Sequence, residues 1–251
     1  MKSVKPPMTP TRESYHHGDL RRTLLDTALE LIAERGAEGF SLREAARAVG
    51  VSPAAAYRHF ADKPALLVAL AAEGHGRLAA AMEKAVARLP TELDRGARAL
   101  AAFSAIGHAY VEFAVRNPSF FRVMFGPAMK EEGFEPCCAP SGRDAYDILG
   151  FTLDEVVRTE VIPAASRPGG EIVAWSTVHG FATLLVDGAL PMSPRERAVA
   201  YQLLARNLLV GMGCDPARLP APDATGLQRF MEAKQQKMRA KRAQQGAQRG
   251  G

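Results

Sequence analysis

The chain has 251 residues, 47% of them apolar and 24% charged, which suits one large domain or a small domain joined to a larger one. Its net charge of +5 is unevenly placed: residues 1–63 carry +2, residues 64–214 carry −2, and residues 215–251, with eight Lys/Arg against three Asp/Glu, carry +5. A high pI that belongs mostly to a C-terminal stretch is a weak argument for nucleic acid. Cys137, Cys138 and Cys214 form an odd set with no disulfide framework. No apolar run approaches the ~20 residues of a membrane span, and MKSVKPPMTPTRESYHH has no signal-peptide core, so the expected location is cytoplasmic. Abundant alanine and scarce alternating β-branched runs predict an all-α fold.

Residues 1–17, with Pro6, Pro7 and Pro10, read as a flexible arm. A helix follows from about Asp19, with Leu24, Ala28, Leu31 and Ile32 on one face and Gly36 as its stop. Ser41-Leu-Arg-Glu44 is a capping box that opens a short helix ending at Val49-Gly50. Ser52 as N-cap and Pro53 at the first helical position open another, expected to run to about Phe60. Asp62 caps a long helix over 63–88, with Gly74 and Gly76 as expected bend points and Pro90 beyond its end. Further helices are predicted over 93–116, at SFFRVMF after Asn117-Pro118, and over about 142–161, 169–189 and 194–212. Residues 215–251 read as a basic disordered tail with a possible short helix at 226–242.

Two short helices joined by a tight turn at Gly50-Val51 have helix-turn-helix spacing. Ala45 and Ala46 allow close crossing, while Val49, Val51 and Phe60 hold the second helix against the first. Helix 19–36 backs both, giving a three-helix DNA-binding head over 18–63. Together YHHGDLRRTLLDTALELIAERG and SLREAARAVGVSPAAAYRHFADKPALL resemble the N-terminal region of TetR/AcrR-type transcriptional regulators. The most specific run is Tyr57, His59, Phe60, Lys63 and Leu66. WSTVHGFATLLVDGAL is similar to the WHG type of C-terminal domain in that family, with Trp, His and Gly spread over Trp175, His179 and Gly180.

The resemblance implies that the second helix lies in the major groove. Ser52, Pro53, Ala54 and Ala55 then meet base edges or near phosphates, with alanine offering at most a methyl contact. Tyr57 and His59 resemble phosphate-contacting positions. Lys63 at a helix start, and Ser41 and Arg43 at the start of the supporting helix, favour phosphate by the same logic. Arg43 is the foremost candidate for a bidentate guanine contact, Arg58 a second. Each also has a plainer reading, Tyr57 as a packed aromatic and His59 and Lys63 as solvated surface residues.

The larger helical domain, 64–214, is expected to bind a ligand and to dimerise. The resemblance implies a homodimer through helices near 169–189 and 194–212. Helices over 63–161 would form a pocket for a small, largely apolar or aromatic effector, with Phe103, His108, Tyr110, Phe121, Phe125, Tyr146, Phe151, Trp175 and His179 as lining candidates. Aromatics at helical spacing are as readily plain core. No CxxC, HxxxH or HExxH spacing supports a metal, and no cofactor is expected. The reading is a ligand-responsive regulator, a dimeric repressor of a double-stranded DNA operator. The alternatives are a sequence-tolerant DNA binder using the basic tail, and a helical enzyme, for which no catalytic motif is present.

Overall fold

A computed structural model of the chain describes residues 20–127, 134, 136–221 and, between 225 and 236, residues 225, 226, 228, 229, 231, 232 and 234–236. The expected arm and most of the expected tail lie outside the described residues. Every regular element among the described residues is helical. The chain divides into two compact units, Met1–Leu66 and Leu67–Gly251.

In the first unit, α1 (Leu20–Arg35) buries Leu24, Leu25, Ala28 and Ile32 against α2 (Leu42–Val49) and α3 (Pro53–Tyr57). The α2 capping box forms in full. Ser41 Oγ accepts from Glu44 N at 3.2 Å, and Ser41 N donates to Glu44 Oε2 at 2.8 Å. Gly50 then takes φ +80°, the left-handed conformation that ends a helix cheaply only at glycine. Ala45, Ala46 and Ala56 are wholly buried where the helices cross.

The second short helix stops at Tyr57, three residues before the sequence expectation of Phe60. His59 N and Phe60 N both donate to Ala56 O, which tightens the chain and carries the Phe60 ring into the core at 4% exposure. Burial of one aromatic outweighs most of another turn of helix. Asp62 then caps α4 (Lys63–Ala87) by accepting from Ala65 N at 2.8 Å.

The second unit is organised around α5 (Arg95–Arg116), which packs on α6 (Pro118–Met124), α7 (Ala145–Arg158), α8 (Gly170–Val186) and α9 (Pro194–Gly211). Asp94 caps α5, Asp144 with Asp147 boxes α7, and Ser193 with Glu196 boxes α9. One apolar cluster joins Phe103, Leu153, Val156, Ile162 and Leu209. Another joins Val111, Phe181, Tyr201 and Ala205. Each buried leucine or phenylalanine contributes about 1.5–3 kcal/mol. Arg197, 8% exposed, is paired to Glu112 at 2.8 Å.

α4 runs through Gly74 and Gly76 without a break. A Cβ at Gly74 would lie 2.6 Å from Met124 Cγ, so this glycine serves the close approach of α6 rather than a bend. Contrary to the composition reading, α4 is long and apolar enough by those measures to cross a membrane. Its buried Leu70, Ala71, Leu78 and Met82 face the protein core, and it carries an Arg77–Glu73 ion pair at 2.5 Å.

Residues 215–221 depart from the tail expectation. Arg206 Nη1 donates to the carbonyls of Pro216, Leu219 and Pro220, Arg218 donates to Glu160 O, and Leu219 packs on the core. A guanidinium satisfying several carbonyls fixes a segment whose composition alone reads as loop.

Candidate functional site

Two features stand out, one in each unit. The first is the α2–α3 face. Arg43 and Arg47 are exposed on α2, and Ser52, Pro53 and Ala54 are exposed at the start of α3. Ala55 is half-buried and Ala56 fully buried, so the alanine run divides between an outward and an inward side. Tyr57, 43% exposed, and Arg58 and His59 stand in solvent. An aromatic and two basic groups at the end of a short, small-residue helix can press against a polyanion while the helix comes close to it.

The two capping serines differ chemically. Ser41 uses both functions of its hydroxyl, accepting from Glu44 N and donating to Glu44 Oε2 at 3.0 Å. These bonds, chiefly that of the Ser41 hydroxyl, hold the Glu44 carboxyl below its ordinary range. A phosphate at the α2 start would therefore meet a carboxylate. The Ser52 hydroxyl accepts from Ala55 N at 3.3 Å, a bond that leaves its own hydrogen to donate. Lys63 is half-buried. Its ammonium donates to Glu38 O at 3.3 Å, lies 3.8 Å from the Glu38 carboxylate and sits 5.1 Å from the Phe40 ring centre. It is held against the head rather than extended toward solvent.

The second feature is a cavity of about 240 Å³ inside the second unit. α4 contributes His75, Leu78 and Met82; α5 contributes Phe103, Ile106 and Tyr110. Phe125 follows α6, and Asp144, Tyr146 and Leu149 come from the start of α7. Trp175 and Val178 of α8, and Tyr201, Leu204 and Leu208 of α9, complete the wall. Gly107 admits the Tyr201 ring, whose hydroxyl donates to Ser104 O at 2.8 Å.

A polar chain runs through the aromatic side of this wall. Trp175 Nε1 donates to the Tyr110 hydroxyl at 3.4 Å, and that hydroxyl lies 2.8 Å from His179 Nδ1. Burial keeps the His179 imidazole below its usual pKa and pushes the Tyr110 phenol up, so both are neutral at pH 7. With the phenol oxygen accepting from the indole, we assign the phenol proton to the bond with Nδ1. His75 is 8% exposed with Nε2 3.4 Å from Met124 O, and burial lowers its pKa despite that bond and the nearby Asp144 charge.

Residues 24–70 match the sequence family of bacterial regulatory proteins of the tetR type, and residues 103–208 match a tetracycline repressor-like C-terminal domain. An HTH-type transcriptional regulator of Haemophilus influenzae is 32% identical over 194 residues, covering 75% of this chain and 85% of its own. The chain belongs to the TetR family. BetI, an HTH-type transcriptional regulator of Brucella anthropi, is 24% identical over 185 residues, 73% of this chain and 93% of BetI. A solved protein of unknown function from Rhodococcus sp. RHA1 superposes with a TM-score of 0.65 at 33% identity, covering 80% of this chain and 98% of that one. This TetR-family chain is a DNA-binding transcriptional regulator.

Of the lining expected from sequence, Phe103, Tyr110, Phe125, Tyr146 and Trp175 reach the cavity of this TetR-family fold. Four others do not. His108 is exposed on the opposite side of α5, edge-on to Tyr201 at 5.6 Å. Phe121 is buried behind the wall, against Phe125 at 5.1 Å. Phe151 is 49% exposed with Arg143 over its ring. His179 backs the wall through Tyr110. Aromatic type marks these residues for burial or stacking, but only helix phase decides which face they take.

His75, Asp144, Tyr201, Leu204 and Leu208 were not among the expected lining. A signal for His75 exists: it shares a stripe with Leu78 and Met82 at helical spacing, between two glycines that mark close packing. Beyond the expected Trp175, the last two helices also supply Val178, Tyr201, Leu204 and Leu208, so the wall draws on α8 and α9 as well as on the helices over 63–161.

Proposed function

We infer that the chain is a repressor that binds a palindromic operator as a homodimer and releases it when a small, largely apolar or aromatic effector fills the cavity. The observation that carries this reading is the apolar cavity in the unit that follows the exposed α2–α3 face. In this reading residues 1–17 are an arm, 18–63 the head, 64–214 the effector and dimerisation domain, and the remainder a basic tail. The protein acts in the cytoplasm, where its DNA is, and does no catalysis.

Arg43, Ser52, Pro53, Ala54, Ala55, Tyr57, Arg58 and His59 are the proposed DNA-facing residues. Ser41 acts mainly as a cap. Lys63 reaches phosphate only by leaving Glu38. Dimerisation through α8 and α9 is supported by Ile172, Val173 and Leu184 on α8 and Val210 on α9, apolar side chains 37–65% exposed. Half-sites spaced by about one DNA turn or a multiple make simultaneous binding sensitive to small changes in head separation. α4 is the covalent link through which an occupied cavity would act, with no more free energy than the effector's differential affinity for the two states.

Fluorescence anisotropy with labelled DNA from beside the gene tests the reading. A specific complex at ~50 mM salt, where phosphate contacts are strongest, is expected. Equal affinity for unrelated DNA would reject it. Removing residues 222–251 should leave specificity intact; loss of all binding would favour the sequence-tolerant tail reading.

A further inference from the structure

Most of the polar groups in the cavity wall are already engaged. The Tyr201 hydroxyl is bound to Ser104 O, the Tyr110 hydroxyl sits between Trp175 and His179, and His75 Nε2 faces Met124 O. The indole N–H is spent on Tyr110. A ligand that needs several hydrogen bonds would find few partners here.

Two features remain. Around Phe125 the rings are angled rather than stacked. Trp175 lies 6.2 Å away at 47°, Tyr110 6.3 Å at 41° and His75 5.5 Å at 72°. Tyr146 stands against Trp175 at 6.2 Å and 81°. Beside these rings Asp144 is half-buried in the lining, and it is the one carboxylate among the described lining residues. Its Oδ1 accepts the capping bond from Asp147 N at 2.8 Å, which leaves lone pairs on both oxygens. Its charge reaches His75, which burial keeps neutral. The described lining therefore carries one negative charge and no positive one.

We propose that the cavity selects a compact tertiary or quaternary ammonium ion bearing an apolar or aromatic group, its cation against the rings of Phe125, Tyr146 and Trp175 and facing Asp144. Aromatic faces attract a cation, more strongly when it is shielded from water. A quaternary nitrogen brings no N–H groups that would go unmet, whereas a primary ammonium brings three. An acid of the same size would bring its carboxylate toward Asp144 and is disfavoured. The volume equals roughly eight waters' share of liquid, so the ligand has on the order of ten non-hydrogen atoms. Leu78, Met82, Ile106 and Leu208 would take its apolar part.

This proposal rests on the cavity being the effector site, and the test separates the two ideas. The chain has one tryptophan, Trp175, in the cavity wall, so its emission in the full-length protein reports occupancy. Three probes of matched size are titrated: benzyltrimethylammonium, its neutral isostere neopentylbenzene, and 3-phenylpropionate. The cation is expected to bind about tenfold more tightly than the hydrocarbon, and the acid most weakly. Asp144→Asn keeps a good helix cap. It should bring the cation's affinity toward that of the hydrocarbon while leaving the hydrocarbon within about twofold. A hydrocarbon that binds as tightly as the cation, or a cation preference that survives Asp144→Asn, overturns the ammonium class and leaves the cavity as effector site. No saturable change with any probe overturns both.

Discussion

Tyr110 shows how one side chain can organise a wall. Its hydroxyl takes the Trp175 indole proton and meets His179 across α5 and α8. Tyr110→Phe removes that centre, leaving two polar groups short of a partner, and should cost about 1–3 kcal/mol in urea unfolding. Gly74→Ala sets a helix gain of about 1 kcal/mol against a Cβ 2.6 Å from the wholly buried Met124. Overpacking costs about 1–3 kcal/mol, so the variant should be less stable, and a raised urea midpoint would contradict the packing role. His75 and His179 carry pKa values lowered by burial. The unfolded chain then binds more protons, so stability is lost as pH falls below the ordinary histidine range near 6.5. Thermal melts from pH 7.5 to 5.5 should show a falling Tm, with a shallower fall in His75→Asn.

At the level of elements, the two serine caps make a matched comparison. Ser41→Ala and Ser52→Ala each remove a helix N-cap bond and should each cost about 1 kcal/mol of stability. Ser41 spends its proton on Glu44, so its loss should leave operator affinity nearly unchanged once the fraction folded is corrected. Ser52, with its hydroxyl proton available in the α3 first turn, should lose affinity as well. Equal affinity losses in the two variants would show that both caps act only through helix stability. α3 itself is short because Phe60 is drawn into the core after Ala56. That bend leaves Tyr57, Arg58 and His59 exposed together at the helix end.

At the scale of the whole molecule, the exposed apolar side chains of α8 predict self-association. The exposed apolar groups of α8 include Ile172 and Leu184, 65% and 46% exposed, outside the contacts that build the cavity. Leu184→Glu places a charge on that face and should shift sedimentation equilibrium from dimer toward monomer, with operator affinity falling at least tenfold because two linked heads become one. A variant that remains dimeric would move the interface elsewhere. Removing residues 222–251 should spare assembly, whereas a cut at 215 would take away the segment that Arg206 holds and that Leu219 anchors to the core.

Much of this protein was written locally. The capping box at Ser41–Glu44, the cap at Ser52-Pro53, the stop at Gly50 and the small crossing residues Ala45 and Ala46 depend on neighbours a few positions apart, and the sequence alone specified them. Helix phase against distant partners is not local information. It put His75, Asp144 and Tyr201 in the cavity wall, turned His108 and Phe151 away from it, and placed Phe121 behind it. It also tied residues 215–221 to Arg206. A side chain's type states what surroundings it tolerates; only the packing of helices far apart in the chain decides which of those surroundings it receives.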